Sequence, residues 1–370
     1  MAGYNSLMLA ALWRVDSIPS KVRPPSEAAG GGRVQSPGGY WRAIGFSLSV
    51  AYVFGCGGGS PSSPTAASSS VDTAGTGSVA AVSGQVMGTI HGQPVVGARV
   101  EMGGATAFTD GAGRFQMSVG RGVLPVAVSA SNHVTRRSFI NSVGRDPVID
   151  VIEPSDLWNL EFYQELCRDG SGGGELKLLN PWTVEPQFYV DRSPESGSGR
   201  EIPDGAVDTV LEAIRTVVPL LSEGRLRGNQ IEVGRAPPAD RTPGTVVIRW
   251  NPVEVAEEAG PAAGITRGVG GGSSVVVLRT AEDTESIFHE LGHVLGLYHP
   301  LGSIRPSLMI SPGLPERPHF TPWDVLHANI LYSRPPGNRD VDNDPEGFII
   351  NGTWTVSTLG ASQTVMHCYR

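Results

Sequence analysis

The sequence predicts a multidomain chain in which a small all-β sandwich precedes a larger α+β domain. Three observations carry that expectation. Residues 81–152 hold short β-rich runs separated by turn signals. Residues 155–335 mix apolar strand-like runs with stretches of helical periodicity. Ahead of both lies a low-complexity stretch that cannot build a core. The 370 residues allow two or three domains, and 49 Gly and 29 Pro mark many turns and linkers. A net charge of −8 without a basic cluster argues against a nucleic-acid partner.

In chain order, residues 1–55 read as a signal region. Arg42 supplies a positive flank, and Ala43 to Phe54 an apolar run too short to span a bilayer. Cys56 stands well beyond the roughly 15–30 residues of a signal peptide counted from Met1, which points to a later start near Val34. Residues 56–80 are Gly, Ser, Thr, Ala and Pro with almost no large apolar side chain, a flexible tether. From there Gly84-Gln-Val86, Pro94 to Val100, Thr109 to Phe115 and Val123 to Ser129 are strand-like, with Asp110-Gly111 as a hairpin-type turn. His91 and His133 stand alone and read as surface or satisfied histidines.

In the larger domain, Trp182 to Val190 reads as a first strand. Apolar residues at 207, 210, 211, 214, 217 and 218 predict a long helix over 205–221. Thr245 to Trp250 is a second strand, and Ser274 to Leu278 a third. Residues 257–272, rich in Gly and Ala, read as a flexible loop.

The chemistry concentrates in His289-Glu-Leu-Gly-His293-Val-Leu-Gly296-Leu-Tyr-His299, with three of the eight histidines. On a helix His289 and His293 lie about 40° apart, while Ile287, Leu291, Val294 and Leu295 cluster at about 140–240°. One face is apolar and the other carries imidazoles, the spacing that one metal ion needs. Thr280 is the expected N-cap. Glu290, beside the first ligand, reaches a water on the metal without binding the ion. Gly296 can take the positive φ that ends the helix and returns His299 as a third ligand. Three protein ligands leave one position open, the mark of a catalytic zinc site.

This stretch resembles the HExxHxxGxxH signature of the metzincin metallopeptidases, and Met309 in Ser307-Leu-Met309 suits their Met-turn. Phe320 to Tyr332, with Asp324, is similar to the helix that follows in the matrixin-like branch. The resemblance implies an α+β catalytic domain: a mixed twisted sheet with an antiparallel edge strand, long helices and a zinc helix. It implies one Zn2+ on His289, His293 and His299, with Met309 beneath as an apolar floor. It also implies a zinc endopeptidase in which Glu290 is the general base and the substrate is a protein or peptide bound in extended form. Carried onto this chain, Gly271 to Leu278 becomes the substrate-binding rim; the alternative is a buried strand that touches no substrate. Ser311 stands where some relatives place a tyrosine ligand, and Pro300 matches none of the common branch markers. The loop from Ser311 to Pro318 would shape the specificity pocket.

Other resemblances are shorter. Residues 81–152 are similar to the carboxypeptidase regulatory-like sandwich, which implies no chemistry of its own. Val53-Phe-Gly-Cys56 resembles a bacterial lipobox, which implies lipidation of Cys56 and an exported, membrane-anchored lipoprotein; an ordinary signal peptide or a short anchor is the alternative. With Cys56 lipidated, Cys167 and Cys368 are left as an even pair, open to a disulfide. The competing role for Cys167 is a latency ligand, although its flanks lack the matrixin surroundings. The tail 336–370 holds Asp340-Val-Asp342-Asn-Asp344, which resembles a calcium loop but has Pro345 and Asn351 where Gly and Glu are needed; a solvated acidic turn is the reading, with a Ca2+ site as the alternative. His319, His327 and His367 read as structural. The expected protein is a monomeric, exported zinc endopeptidase; the alternative is a surface-exposed binding lipoprotein with a silent fold.

Overall fold

The computed structural model describes residues 78–301, 305–310 and 319–352, and the backbone of Val365–Cys368. The signal region with Cys56, most of the tether, and the 311–318 loop lie outside the described residues.

Seven strands build the first unit: β1 (Val79–Gly88), β2 (Arg99–Met102), β3 (Ala105–Phe108), β4 (Arg114–Gly120), β5 (Val123–Ser129), β6 (Arg136–Asn141) and β7 (Val148–Val151). They form two sheets, in the orders β4-β1-β7 and β3-β2-β5-β6. Along β4 exposed and buried residues alternate strictly, and Phe115, Met117 and Val119 point inward. That period of two is what a half-buried strand requires. Val86, Val100, Val126, Val128, Ile140 and Ile149 complete a core of their own.

The second unit begins with α1 (Leu160–Arg168) and β8 (Gln187–Asp191). It continues through α2 (Asp204–Leu221), β9 (Ile231–Gly234), β10 (Thr245–Trp250) and α3 (Pro252–Ala259). Next come β11 (Gly264–Arg267), β12 (Ser274–Leu278), α4 (Ile287–Val294), α5 (Pro322–Tyr332) and β13 (Val365–Cys368). The six strands form one mixed sheet in the order β13-β11-β12-β10-β8-β9. β9, β8, β10 and β12 run parallel, and β11 is antiparallel to both β12 and β13. Central strands covered on both faces need continuous apolar runs, and every residue of β12 is buried. α2 covers one face through Val207, Val210, Ile214, Val217 and Val218, as the spacing predicts. α3 covers the other through Val255 and Ala259 against Val247, Val275 and Val277.

Several expectations are corrected here. Trp182 is not in a strand: it is buried, and its indole N–H donates to the Val294 carbonyl at 2.8 Å. Residues 257–272 are not a plain loop, because α3 ends in them and β11 forms from Gly264 to Arg267. Short strands between glycines give too little periodicity to register in sequence. The rim assigned to Gly271–Leu278 is an internal strand between β10 and β11, the buried-strand alternative.

The two units meet over buried charge. Arg334 pairs with Asp342 (Nε to Oδ1, 2.7 Å) and with Asp150 of β7; Arg136 of β6 pairs with Asp344 at 2.9 Å and with Asp150. The Thr89 hydroxyl donates to Asp150 at 2.8 Å, and the Asn338 amide donates to Asp342 and Asp344. Burial alone would raise the Asp150 carboxyl, but Arg334 and then Arg136 hold it well below the usual range. The expected solvated acidic turn is therefore an interior ion cluster. Arg136 and Arg334 supply the counter-charge for Asp150, Asp342 and Asp344.

The expected disulfide is not formed. Cys167 is a free, buried thiol on α1, 3.6 Å from the His327 carbonyl, and burial raises its pKa well above the thiol range. Cys368 lies in β13, opposite Gly264 at the far edge of the sheet. Cys167 also stays out of the metal cluster, so the latency-ligand alternative gains nothing from the fold.

His327 is a packing histidine. Its ring stacks on Trp158 at 5.3 Å; Nδ1 donates to the Trp323 carbonyl, and Nε2 accepts from the Asn159 N–H at 3.3 Å. Burial lowers its pKa from 6.5 to about 4. The unfolded chain therefore takes up that proton first as pH falls. The contribution to stability is complete above about pH 6.5 and is lost progressively down to about pH 4, on the order of 3 kcal/mol. Urea unfolding of metal-free protein at pH 7.5 and pH 5 checks this: His327→Gln narrows the difference between the two midpoints relative to the parent.

Among the described residues no helix is long and apolar enough to cross a membrane.

Candidate metal centre

A 3-10 turn over Ala281–Ser286 feeds directly into α4. Thr280 stands at the predicted cap position, but its hydroxyl meets the Asp283 carboxylate at 3.0 Å instead of a backbone N–H. α4 buries Ile287, Leu291 and Val294 in the core and turns His289 and His293 the other way. The helix then stops at Gly296, whose φ of 100° lies in the region a side chain disfavours. Gly296 N–H donates to the His293 carbonyl at 2.9 Å and Leu297 N–H to Gly292 at 2.9 Å, so the chain doubles back and delivers His299.

The three Nε2 atoms converge. His289 and His293 are 3.1 Å apart, His289 and His299 3.0 Å, and His293 and His299 3.1 Å. His289 Nδ1 faces the Leu308 carbonyl at 2.9 Å and His293 Nδ1 the Leu297 carbonyl at 2.7 Å. A carbonyl only accepts, so both Nδ1 atoms carry the proton and both Nε2 atoms present lone pairs. Burial, then the neighbouring histidines, depress both pKa values: that of His289 falls to about 3 and that of His293 lies well below 6.5. Converging lone pairs on neutral imidazoles repel unless a cation sits between them. A tetrahedral ion with nitrogens at about 2.0–2.1 Å would hold them about 3.3–3.4 Å apart, close to the observed triangle. The three histidines can hold a metal ion. Imidazole donors suit several first-row metals, so the donor set alone does not select one.

A second layer holds the ligands. Asp324, at the third position of α5, accepts from Leu308 N–H at 3.0 Å, from Thr321 N–H at 2.9 Å and from the Ser307 hydroxyl. Leu308 in turn orients His289 through its carbonyl. Burial raises the Asp324 pKa against these hydrogen bonds. Met309 is buried beneath the helix, with its thioether so close to Gly292 that a Cβ there would collide with Sδ. Asp324→Ala frees the Leu308 segment and should weaken metal affinity by about 10–100-fold, read by competition with a chromogenic chelator.

Glu290 is buried between α4 and β11. The Thr266 hydroxyl donates to its Oε2 at 2.6 Å. A Cβ on Gly264 would stand 2.8 Å from its Oε1, so only glycine lets β11 approach this closely. Thr266 and Gly264 were not singled out by the sequence. A small residue and a hydroxyl two apart carry no signal until the strand is known.

The fold and site thus define a mixed α/β protein in which two histidines of a buried helix and a third delivered by the turn after it form a cluster that can hold a metal ion. No protein-family model matches the chain, and no curated protein matches it.

Proposed function

We propose that this chain is a zinc-dependent endopeptidase of the metzincin kind, in its matrixin-like branch. The observation that carries the reading is the convergence of three imidazoles, two of them held neutral, beside a buried carboxylate that is not one of the converging groups. When bound, a zinc ion supplies Lewis acidity, polarising a carbonyl and bringing the pKa of water down to about 7. The remaining steps belong to the protein. Glu290 takes the proton of the attacking water and returns it to the leaving amine nitrogen. Thr266 holds one carboxylate oxygen by hydrogen bond, which fixes the direction of proton transfer. β11 forms the wall beside Glu290, and its outer edge can pair with the backbone of an extended polypeptide. The ion is zinc in this proposal because three histidines with an open position and a carboxylate base suit hydrolysis at zinc.

The proposed setting is outside the cytoplasm, with Cys56 as a lipidated anchor and the sandwich as a module between anchor and peptidase. The mass of the mature N-terminal peptide tests the anchor, since an unmodified Cys56 would remove it. Metal analysis together with cleavage of casein tests the activity. About one zinc per chain and cleavage abolished by a chelator are expected. A zinc-loaded protein without cleavage would leave the silent binding lipoprotein as the better reading.

A further inference from the structure

The six-stranded sheet ends on a strand from the far end of the chain. β13 runs antiparallel along the outer edge of β11, with Gly264 opposite Cys368, Ile265 opposite His367, Thr266 opposite Met366 and Arg267 opposite Val365. β11 is the strand that touches Glu290, through the Thr266 hydroxyl and the close approach of Gly264. β13 also lies against α4, the helix of His289 and His293. Residues 365–368 therefore sit on the sheet edge beside the helix of His289 and His293.

An uncovered edge strand offers a row of N–H and C=O groups, and those groups can pair with one extended segment at a time. The run Thr364-Val-Met-His-Cys-Tyr369 contains no Gly, Pro, Lys, Arg, Asp or Glu and includes β-branched and aromatic residues that suit such pairing. We propose that the C-terminal strand is an intramolecular competitor that occupies the peptide-binding edge of β11 and must leave before an extended substrate can pair there. This rests on the peptidase reading of the centre. A segment joined in cis competes at an effective concentration of roughly millimolar order, whatever its intrinsic affinity. Among the described residues four pairs join it to β11, so displacement by substrate or by removal of the tail is within reach. Such a competitor raises the apparent KM and leaves kcat alone, because the catalytic groups are untouched once it has left.

The test compares the full chain with a form lacking residues 365–370, both loaded with zinc. Deletion should lower the apparent KM for a quenched-fluorescence extended peptide by tenfold or more at constant kcat. A synthetic peptide of residues 363–370 should inhibit the shortened form competitively. Amide hydrogen exchange should quicken at residues 264–267 and stay unchanged in β10, which shows that the shortened form is folded. A double Met366→Pro, His367→Pro variant should match the deletion. Successive N–H groups point to opposite sides of a strand, so one of the two must face β11. Equal KM values with unchanged exchange would overturn the proposal while leaving the peptidase intact. If neither form cleaves peptide, the peptidase reading fails instead, and binding of the 363–370 peptide carrying a fluorescein label judges the occupancy. Binding to the shortened form alone upholds it, and equal or absent binding sinks it.

Discussion

On the proposed peptidase reading, Glu290→Gln should keep the metal and lower peptide hydrolysis by about 10²–10⁴-fold, the share that a positioned general base contributes. The amide matches the carboxylate in size and can still accept from Thr266, so the fold and the three imidazoles are undisturbed. What it lacks is the ability to take a proton. Zinc content by atomic emission and turnover of casein, measured on one preparation, separate the two effects. A Gln variant with full turnover would remove Glu290 from the mechanism. One that also loses zinc would show instead that the carboxylate supports the ligand helix.

Arg334→Met is expected to cost about 3–5 kcal/mol, the largest stability effect outside the cores. The guanidinium is fully buried and faces Asp342, itself about 1% exposed, as well as Asp150 across the junction. Removing it leaves carboxylates in the interior with one arginine, Arg136, for Asp150, Asp342 and Asp344. Desolvated charge without a partner is the expensive outcome, far more so than the loss of one hydrogen bond. The effect should appear as a lower unfolding temperature and as earlier proteolysis between residues 150 and 160, where the two units join. A variant within about 0.5 kcal/mol of the parent would mean that water reaches the cluster. Acid adds a second sign to the same junction. Asp150 has a depressed pKa, so its contribution is present above about pH 4 and is lost as pH falls further.

The readability of this chain differs from element to element. α2 was legible because eighteen residues give five helical turns, and the apolar stripe repeats often enough to define a face. β4 was caught only at its start, where the strand-like run Thr109 to Phe115 overlaps it at Arg114 and Phe115, although its seven residues alternate without a break. β11 was not, since four residues flanked by glycine show no period, and its role depends on Gly264 and Thr266 facing a helix more than twenty residues later. The acidic tail misled for a related reason. Three aspartates on a short run read as solvated until Arg136 and Arg334 arrive from two other segments.

The three histidines lie within eleven residues, so the helical repeat and one glycine turn were enough to bring their nitrogens together, and that part of the centre is written locally. The chemistry proposed for it was readable for the same reason. Which strand borders Glu290, which residue steadies the Leu308 segment, and what covers the outer edge of β11 depend on pairings between residues far apart in the chain. Local sequence holds no record of such pairings, because they form only when separate apolar faces share one core.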